Sequence, residues 1–318
     1  MGCSTSDRTK EETRETNKGY PVCRLSVSIT GEIDSMVSYD SNRIILGGKN
    51  ELQLFDSKTK EISLLSNEHR GRINCLIKLP DGKIVSGGQD SKIKIWDINK
   101  KECISTLEGH TSIIWDIKYI KKNMLISAAD DNTSKIWDIQ NKSSINLYSS
   151  KRHISCVAVL KNNKVLLAAG KNLLLFDLNT KDQESCLDLS VWTITTLKNG
   201  DVAAGLGNGL LYILQITDEI IVKTEFPRGH NSTINSIIEL SNGKIVTISD
   251  ENEPIMWDRD EPLSIYMIKG HTDKVLSICL IEGNKFASFS KDNTLKKNAK
   301  MKCIISNSIT RIMTIKGK

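Results

Sequence analysis

KIKIWDI at 92–98 and TSKIWDI at 133–139 close on the same Trp-Asp pair, and Trp96 and Trp137 stand 41 residues apart. PIMWDRD at 254–260 adds Trp257, and LQLFDSK at 52–58 and LLLFDLN at 173–179 carry Phe-Asp in the same place. LLYILQI at 210–216 fills the remaining gap without an aspartate. The anchors then fall at Phe55, Trp96, Trp137, Phe176, Ile213 and Trp257. A fixed period of this length marks a chain built from units that cannot bury their apolar faces alone and must stack.

A second marker keeps the same phase. His69, His110 and His230 each precede their tryptophan by 27 residues, and His271 continues the series. Ser86, Ser127, Thr247 and Ser288 lie 17 residues after those histidines, and Asp90, Asp131 and Asp292 lie 21 after; the unit of His230 has Glu251 there, beside Asp250. Within a unit, INCLIKL, KIVSGG, KIKIWDI and CISTLEG are short, alternating or β-branched, and separated by turn signals such as PDGK and QDSK. Each unit reads as four strands, and none contains a helical pattern.

Repeats of about 41 residues that open on Gly-His and close on Trp-Asp resemble the WD-repeat family over residues 22–318. The resemblance implies an all-β, seven-bladed β-propeller of four-stranded blades. Third strands would lie near 55, 96, 137, 176, 213, 257 and 295. It also implies a structural role for His69/Ser86/Asp90/Trp96, for His110/Ser127/Asp131/Trp137 and for His230/Thr247/Trp257. Buried polar groups are costly unless they satisfy one another. Ser, His and Asp at fixed spacing also suggest a catalytic triad, but a catalytic site does not recur once per repeat. The units near 55, 176 and 213 lack the set. The last unit has His271, Ser288 and Asp292 without a tryptophan, so the last blade is degenerate; DNTLKKNAKMKCI aligns with DSKIKIWDINKKECI only with two residues lost. VCRLSVSIT at 22–30 stands in the phase of an outer strand and is expected to close that blade, in competition with the C-terminal tail.

Trp115-Asp116 is a second kind of Trp-Asp pair. Trp115 follows His110 by five residues and falls in the first strand of its unit. In the family, positions three and five after the histidine open onto the rim of the central channel, the partner-binding face. Carried over, they give Arg72, Ile113, Thr233 and Lys274 at the first and Asn74, Trp115, Asn235 and Leu276 at the second. Strand patterns add His153 and Ser155, Ser190 and Trp192, and Glu32 and Asp34. Trp115 and Trp192 are the two tryptophans of the five outside the repeat pairs. Tryptophan buries much area at little entropic cost, which makes both candidate anchors for a partner.

MGCSTS opens the chain and matches the pattern for N-myristoylation at Gly2, with Cys3 available for palmitoylation. Residues 1–19 hold four basic and four acidic side chains, so a second acyl chain, not charge, would have to complete a stable anchor. Residues 1–21 are polar and are expected to form a flexible tail preceding a propeller over 22–318.

Hydrophobic residues make up 39% and charged residues 26% of the 318, and the net charge of +6 is spread without a dense basic block. That balance fits a globular chain and gives no reason to expect nucleic acid. The eight cysteines form no CxxC, no metal cluster or phosphate loop is visible, and no cofactor is expected. The reading is a non-enzymatic scaffold, a monomeric propeller within a complex. It would bind proteins or peptides at its rim and be tethered through acyl chains to the cytosolic face of a membrane. The alternative is a soluble adaptor such as a ubiquitin-ligase substrate receptor.

Overall fold

A computed structural model describes residues 22–299, apart from 30, 228 and 261–264. It contains seven four-stranded antiparallel sheets arranged as the blades of a propeller. The only helical turn among the described residues is a short 3-10 segment, Lys161–Asn163, so no helix there is long and apolar enough to cross a membrane. The innermost strands run Ile33–Ser38, Ile73–Lys78, Ile114–Lys121, Ile154–Val159, Val191–Thr196, Ile234–Glu239 and Val275–Glu282, from blade 1 to blade 7. Each touches the next around the ring, and the seventh returns to the first.

Seven apolar clusters hold the ring, one between each pair of neighbouring blades. Cys75, Val85 and Ile95 of blade 2 pack on Ile114, Leu125 and Trp137 of blade 3. Ile45 and Leu52 of blade 1 pack on Ile73, Ile84 and Trp96 of blade 2. A blade is therefore buried on both faces, which is why its middle strands read as continuous apolar runs such as KVLLAA (164–169). In blades 1 to 6 the anchor residue of the third strand packs toward the preceding blade.

Register corrects one anchor. The first buried residue of each second strand pairs with the anchor, as in Ile84 with Trp96, Leu125 with Trp137 and Val165 with Phe176. In blade 5 Val202 pairs with Leu214, not Ile213. Leu214 packs toward blade 4, whereas Ile213 faces blade 6. A one-residue slip along a strand reverses the face presented, and two adjacent apolar residues hide that slip in the sequence.

The same register carries the repeat alignment through the third strand of blade 7. Phe286 pairs with Asn298, ten positions after Ser288, just as Trp96 lies ten after Ser86. No residue is lost between Asp292 and Asn298; asparagine simply stands where three other blades carry tryptophan. Phe286 itself joins Tyr266, Ile268 and Met256 in the core between blades 6 and 7. Strand Val22–Ser28 forms the outer edge of blade 7, antiparallel to Thr294–Ala299. The chain's first described strand thus closes the ring and covers what would be a free sheet edge.

The tetrads are single hydrogen-bonded units. In blade 3, His110 Nδ1 lies 2.7 Å from Asp131 Oδ2 and its Nε2 lies 2.6 Å from Ser127 Oγ, while Trp137 Nε1 donates to the same Oγ over 2.8 Å. Indole only donates and carboxylate only accepts, so the hydroxyl accepts from Trp137 and gives its own proton to His110 Nε2. The imidazole is then neutral and donates from Nδ1 to Asp131. Blade 2 repeats this with His69, Asp90, Ser86 and Trp96. In blade 6 the acid is Glu251, 2.7 Å from His230 Nδ1, and Thr247 supplies the shared hydroxyl to Trp257. Blade 7 keeps His271, Asp292 and Ser288. Gly229 shows why glycine precedes such a histidine: a Cβ there would stand 2.5 Å from the Trp257 ring.

Burial lowers the affinity of His110, His230 and His271 for a proton and outweighs the pull of their acids. Burial alone would raise Asp131, but hydrogen bonds from Thr133, the Thr111 amide and His110 hold it below the usual carboxylate range. Histidines whose folded affinity is depressed contribute stability that is full above their unfolded value, 6.5, and is lost as pH falls below it. The depressed acids add a second loss below their unfolded value of 3.8. Urea midpoints should therefore hold steady from pH 8 to 7 and decline toward pH 5; a midpoint that rises over that interval contradicts the neutral assignment. Ser127→Ala strands two buried groups at about 1–3 kcal/mol each, so equilibrium unfolding should show a loss of about 3 kcal/mol.

Candidate functional site: the channel mouth

The loops that carry the tetrad histidines and acids lie on one face of the ring. On that face the innermost strands begin, and their first side chains surround the channel. The opening is a cavity of about 540 Å³ whose lining includes Asp34, Asn74, Trp115, His153, Trp192 and Lys274.

Most of the polar side chains at the mouth are spoken for within the chain. Arg72 donates to Asp34 and to Glu32 of blade 1, each over 2.6 Å. Burial raises Asp34 against the pull of Arg72, so the carboxylate gains less from this exposed pair than the guanidinium does. Asn74 Nδ2 donates 3.1 Å to the Ile114 carbonyl of blade 3. Ser155 Oγ donates 3.2 Å to the Val191 carbonyl of blade 5. Asn235 Nδ2 donates 2.6 Å to Asp250, and Lys274 of blade 7 pairs with that same carboxylate. Thr233 Oγ1 reaches the Gly207 carbonyl at 3.1 Å. These contacts lace successive blades together at the rim.

The two Trp-Asp pairs of 109–139 therefore do different work. Trp137 is fully buried and its Asp138 caps the turn that follows by accepting from the Gln140 and Asn141 amides. Trp115 is 36% exposed at the mouth, while Asp116 accepts from the Val157 amide of blade 4 at 3.1 Å and pairs with Lys118. Trp192 is 41% exposed, and His153 sets its ring edge-on to it with centroids 6.1 Å apart. The structure brings Trp115, His153 and Trp192 to one sector of the rim, on blades 3, 4 and 5. Arg72, Asn74, Asn235 and Lys274 line the remainder and are engaged as described. Gly2 and Cys3 lie outside the described residues.

Sequence reasoning missed the acids that precede the tetrad acids, Asp130 and Asp250. The doubled acids of AADD and ISDE were their signal.

Residues 60–97 and 101–138 match the family model described as WD domain, G-beta repeat. Two units of this chain thus resemble WD repeats. The solved WD40 beta propeller domain of Doa1 superposes with a TM-score of 0.77 over 89% of this chain and 97% of that one, at 18% identity, a likeness of fold. The THO complex subunit 6 homolog of Danio rerio is 30% identical over 108 residues, 33% of each protein. The p21-activated protein kinase-interacting protein 1-like of Danio rerio is 39% identical over 77 residues, 23% of this chain and 20% of that one. The matched stretch thus spans no more than a third of either curated relative. The remaining units are held in the same fold by register and core.

Trp115 and Trp192 are accessible and the three repeat tryptophans are not. Acrylamide should quench about two-fifths of the intrinsic fluorescence readily, and Trp115→Phe/Trp192→Phe should abolish that fraction without moving the thermal midpoint. Unchanged quenching in the double variant contradicts the placement of the two rings.

Proposed function

We propose that this chain is a non-enzymatic scaffold that binds proteins or peptides across the mouth of its propeller, on the sector formed by Trp115, His153 and Trp192. One observation carries the reading. Two large, partly exposed aromatic side chains stand beside a preformed cavity, while most of the polar rim around it is already satisfied. Exposed aromatics beside neutralised polar groups offer a partner apolar burial without a large desolvation cost. The matched relatives fit this role, since one bears the name of a kinase-interacting protein.

The N-terminal pattern at Gly2 and Cys3 adds a tether. Val22 pairs with Ala299 and Ser28 with Thr294, so the first described strand starts on the face opposite the mouth. An acylated tail of residues 1–21 would hold that opposite face to a membrane and leave the mouth free for a partner. The same propeller without acylation would act as an adaptor in solution, and the same mouth would serve it.

Two measurements test the parts separately. Affinity capture with the wild-type chain, followed by mass spectrometry, should yield partners that Trp115→Ala/Trp192→Ala loses at least about tenfold, the effect of removing an aromatic anchor; equal capture by both overturns the mouth as the binding surface. Labelling with alkyne-myristate should mark and pellet the wild type but not Gly2→Ala. An unlabelled, unpelleted wild type removes the tether and leaves the adaptor.

A further inference from the structure

Each junction between blades has equivalent positions at the mouth, and comparing them isolates one that is incomplete. Between blades 6 and 7, Asp250 precedes the tetrad acid, Asn235 lies five residues after its histidine, and Lys274 lies three after the next one. The three interact: Asn235 and Lys274 both bind the Asp250 carboxylate. Between blades 1 and 2 the cation of the later blade, Arg72, is likewise neutralised, by Asp34 and Glu32.

Between blades 3 and 4 the matching positions are Asp130, Trp115 and His153. Ile114 and Ile154 occupy the register of Ile234 and Val275, which fixes the equivalence. The acid is kept, but the lysine is replaced by His153, whose ring leans on Trp192 instead. The asparagine is replaced by Trp115. Asp130 is exposed, no side-chain hydrogen bond or ion pair holds it among the described residues, and it lines the cavity together with both tryptophans and His153. The other charges of that sector do not supply the missing cation. Lys118 is bound to Asp116, and the Arg152 side chain packs against Gly170 in the corresponding turn of blade 4.

We infer that this junction is a receptor for a cationic side chain, the arginine or lysine of a partner's basic segment, which takes the place that Lys274 holds between blades 6 and 7. Asp130 supplies the counter-charge. Trp115 and Trp192 supply ring faces, which attract a cation through their quadrupoles. Arginine fits better than lysine, because a planar guanidinium can stack on indole while it bonds the carboxylate. The inference deepens the mouth reading and rests on it: it adds the chemistry of the residue received.

The test is an array of twelve-residue peptides with varied flanks and Arg, Lys, Gln or Glu at the centre, probed with the full chain. Wild type should retain Arg-centred and then Lys-centred spots. Asp130→Asn should lose that preference by at least about tenfold, the order expected for a charge-assisted hydrogen bond. Asp250→Asn, whose carboxylate already holds Lys274, should keep it. Thermal melts would show that each variant is folded. Absence of any bound spot, equal binding of Gln and Arg centres, or a preference unchanged in Asp130→Asn overturns the inference. The mouth reading fails in a different way. If captured cellular partners are lost in Trp115→Ala/Trp192→Ala and kept in Asp130→Asn, the surface stands and the cation receptor falls. If both variants keep them, the surface itself falls.

Discussion

A single buried hydroxyl, shared between an imidazole and an indole, holds each well-formed blade. Ser86, Ser127 and Thr247 each accept from tryptophan and donate to histidine, and their histidines in turn reach an acid in the neighbouring loop. Two strands, the turn between them and the loop before the blade are thereby tied by one hydrogen-bonded chain. Such a network is valuable because it is complete; any missing member leaves a buried group with neither water nor partner. Its position explains its influence on the mouth. Histidine fixes the loop that precedes the innermost strand, and the residues three and five places later become the rim.

Blades without the tetrad use other means. Blades 1, 4 and 5 place Leu46, Leu167 and Ala204 where the hydroxyl would be, and Phe55, Phe176 and Leu214 where tryptophan would be. An apolar pair needs no partner, so replacing the whole polar set is tolerable where replacing half of it is not. Blade 7 is the mixed case, with His271, Ser288 and Asp292 but Asn298 at the anchor. It is also the blade completed from the other end of the chain, by Val22–Ser28. The closing sheet is thus the one whose polar set is incomplete and whose strands are furthest apart in sequence.

The repeat period, the tetrad spacings and the blade count were legible because each rests on residues whose chemistry is rare and repeated. Trp, His and Gly at fixed distances leave few alternatives. The anchor of blade 5 was not legible, because Ile213 and Leu214 are equally apolar and only pairing with Val202 tells them apart. The anchor of blade 7 was not legible for a related reason: without tryptophan, nothing in LKKNAK marks the tenth position after Ser288. At the mouth, the positions of Trp115 and Trp192 followed from counting beyond the histidine. The ties that occupy Arg72, Asn74, Asn235 and Lys274 did not: those of Arg72 and Asn74 cross between blades about 40 residues apart in sequence, and Asn235 and Lys274 meet on Asp250 from different blades. Nor did the difference between Asp130 and Asp250, which depends on what the following blade places opposite each acid.

What remains after those ties is a sector of rim on blades 3 to 5 with two exposed rings, a histidine and an unengaged carboxylate, facing away from the strand by which the tail joins the fold. The most direct measurement is site-specific photo-crosslinking in cells, with a benzophenone amino acid replacing Trp115, Trp192 or Leu64. Leu64 is 54% exposed on the outer edge of blade 1, far along the blade from the channel, and serves as the equally accessible apolar control. Adducts at 115 and 192 to the same partner, with none at 64, are the expected result. Adducts concentrated at 64, or absent from both rim positions, would contradict a scaffold that works through its channel mouth.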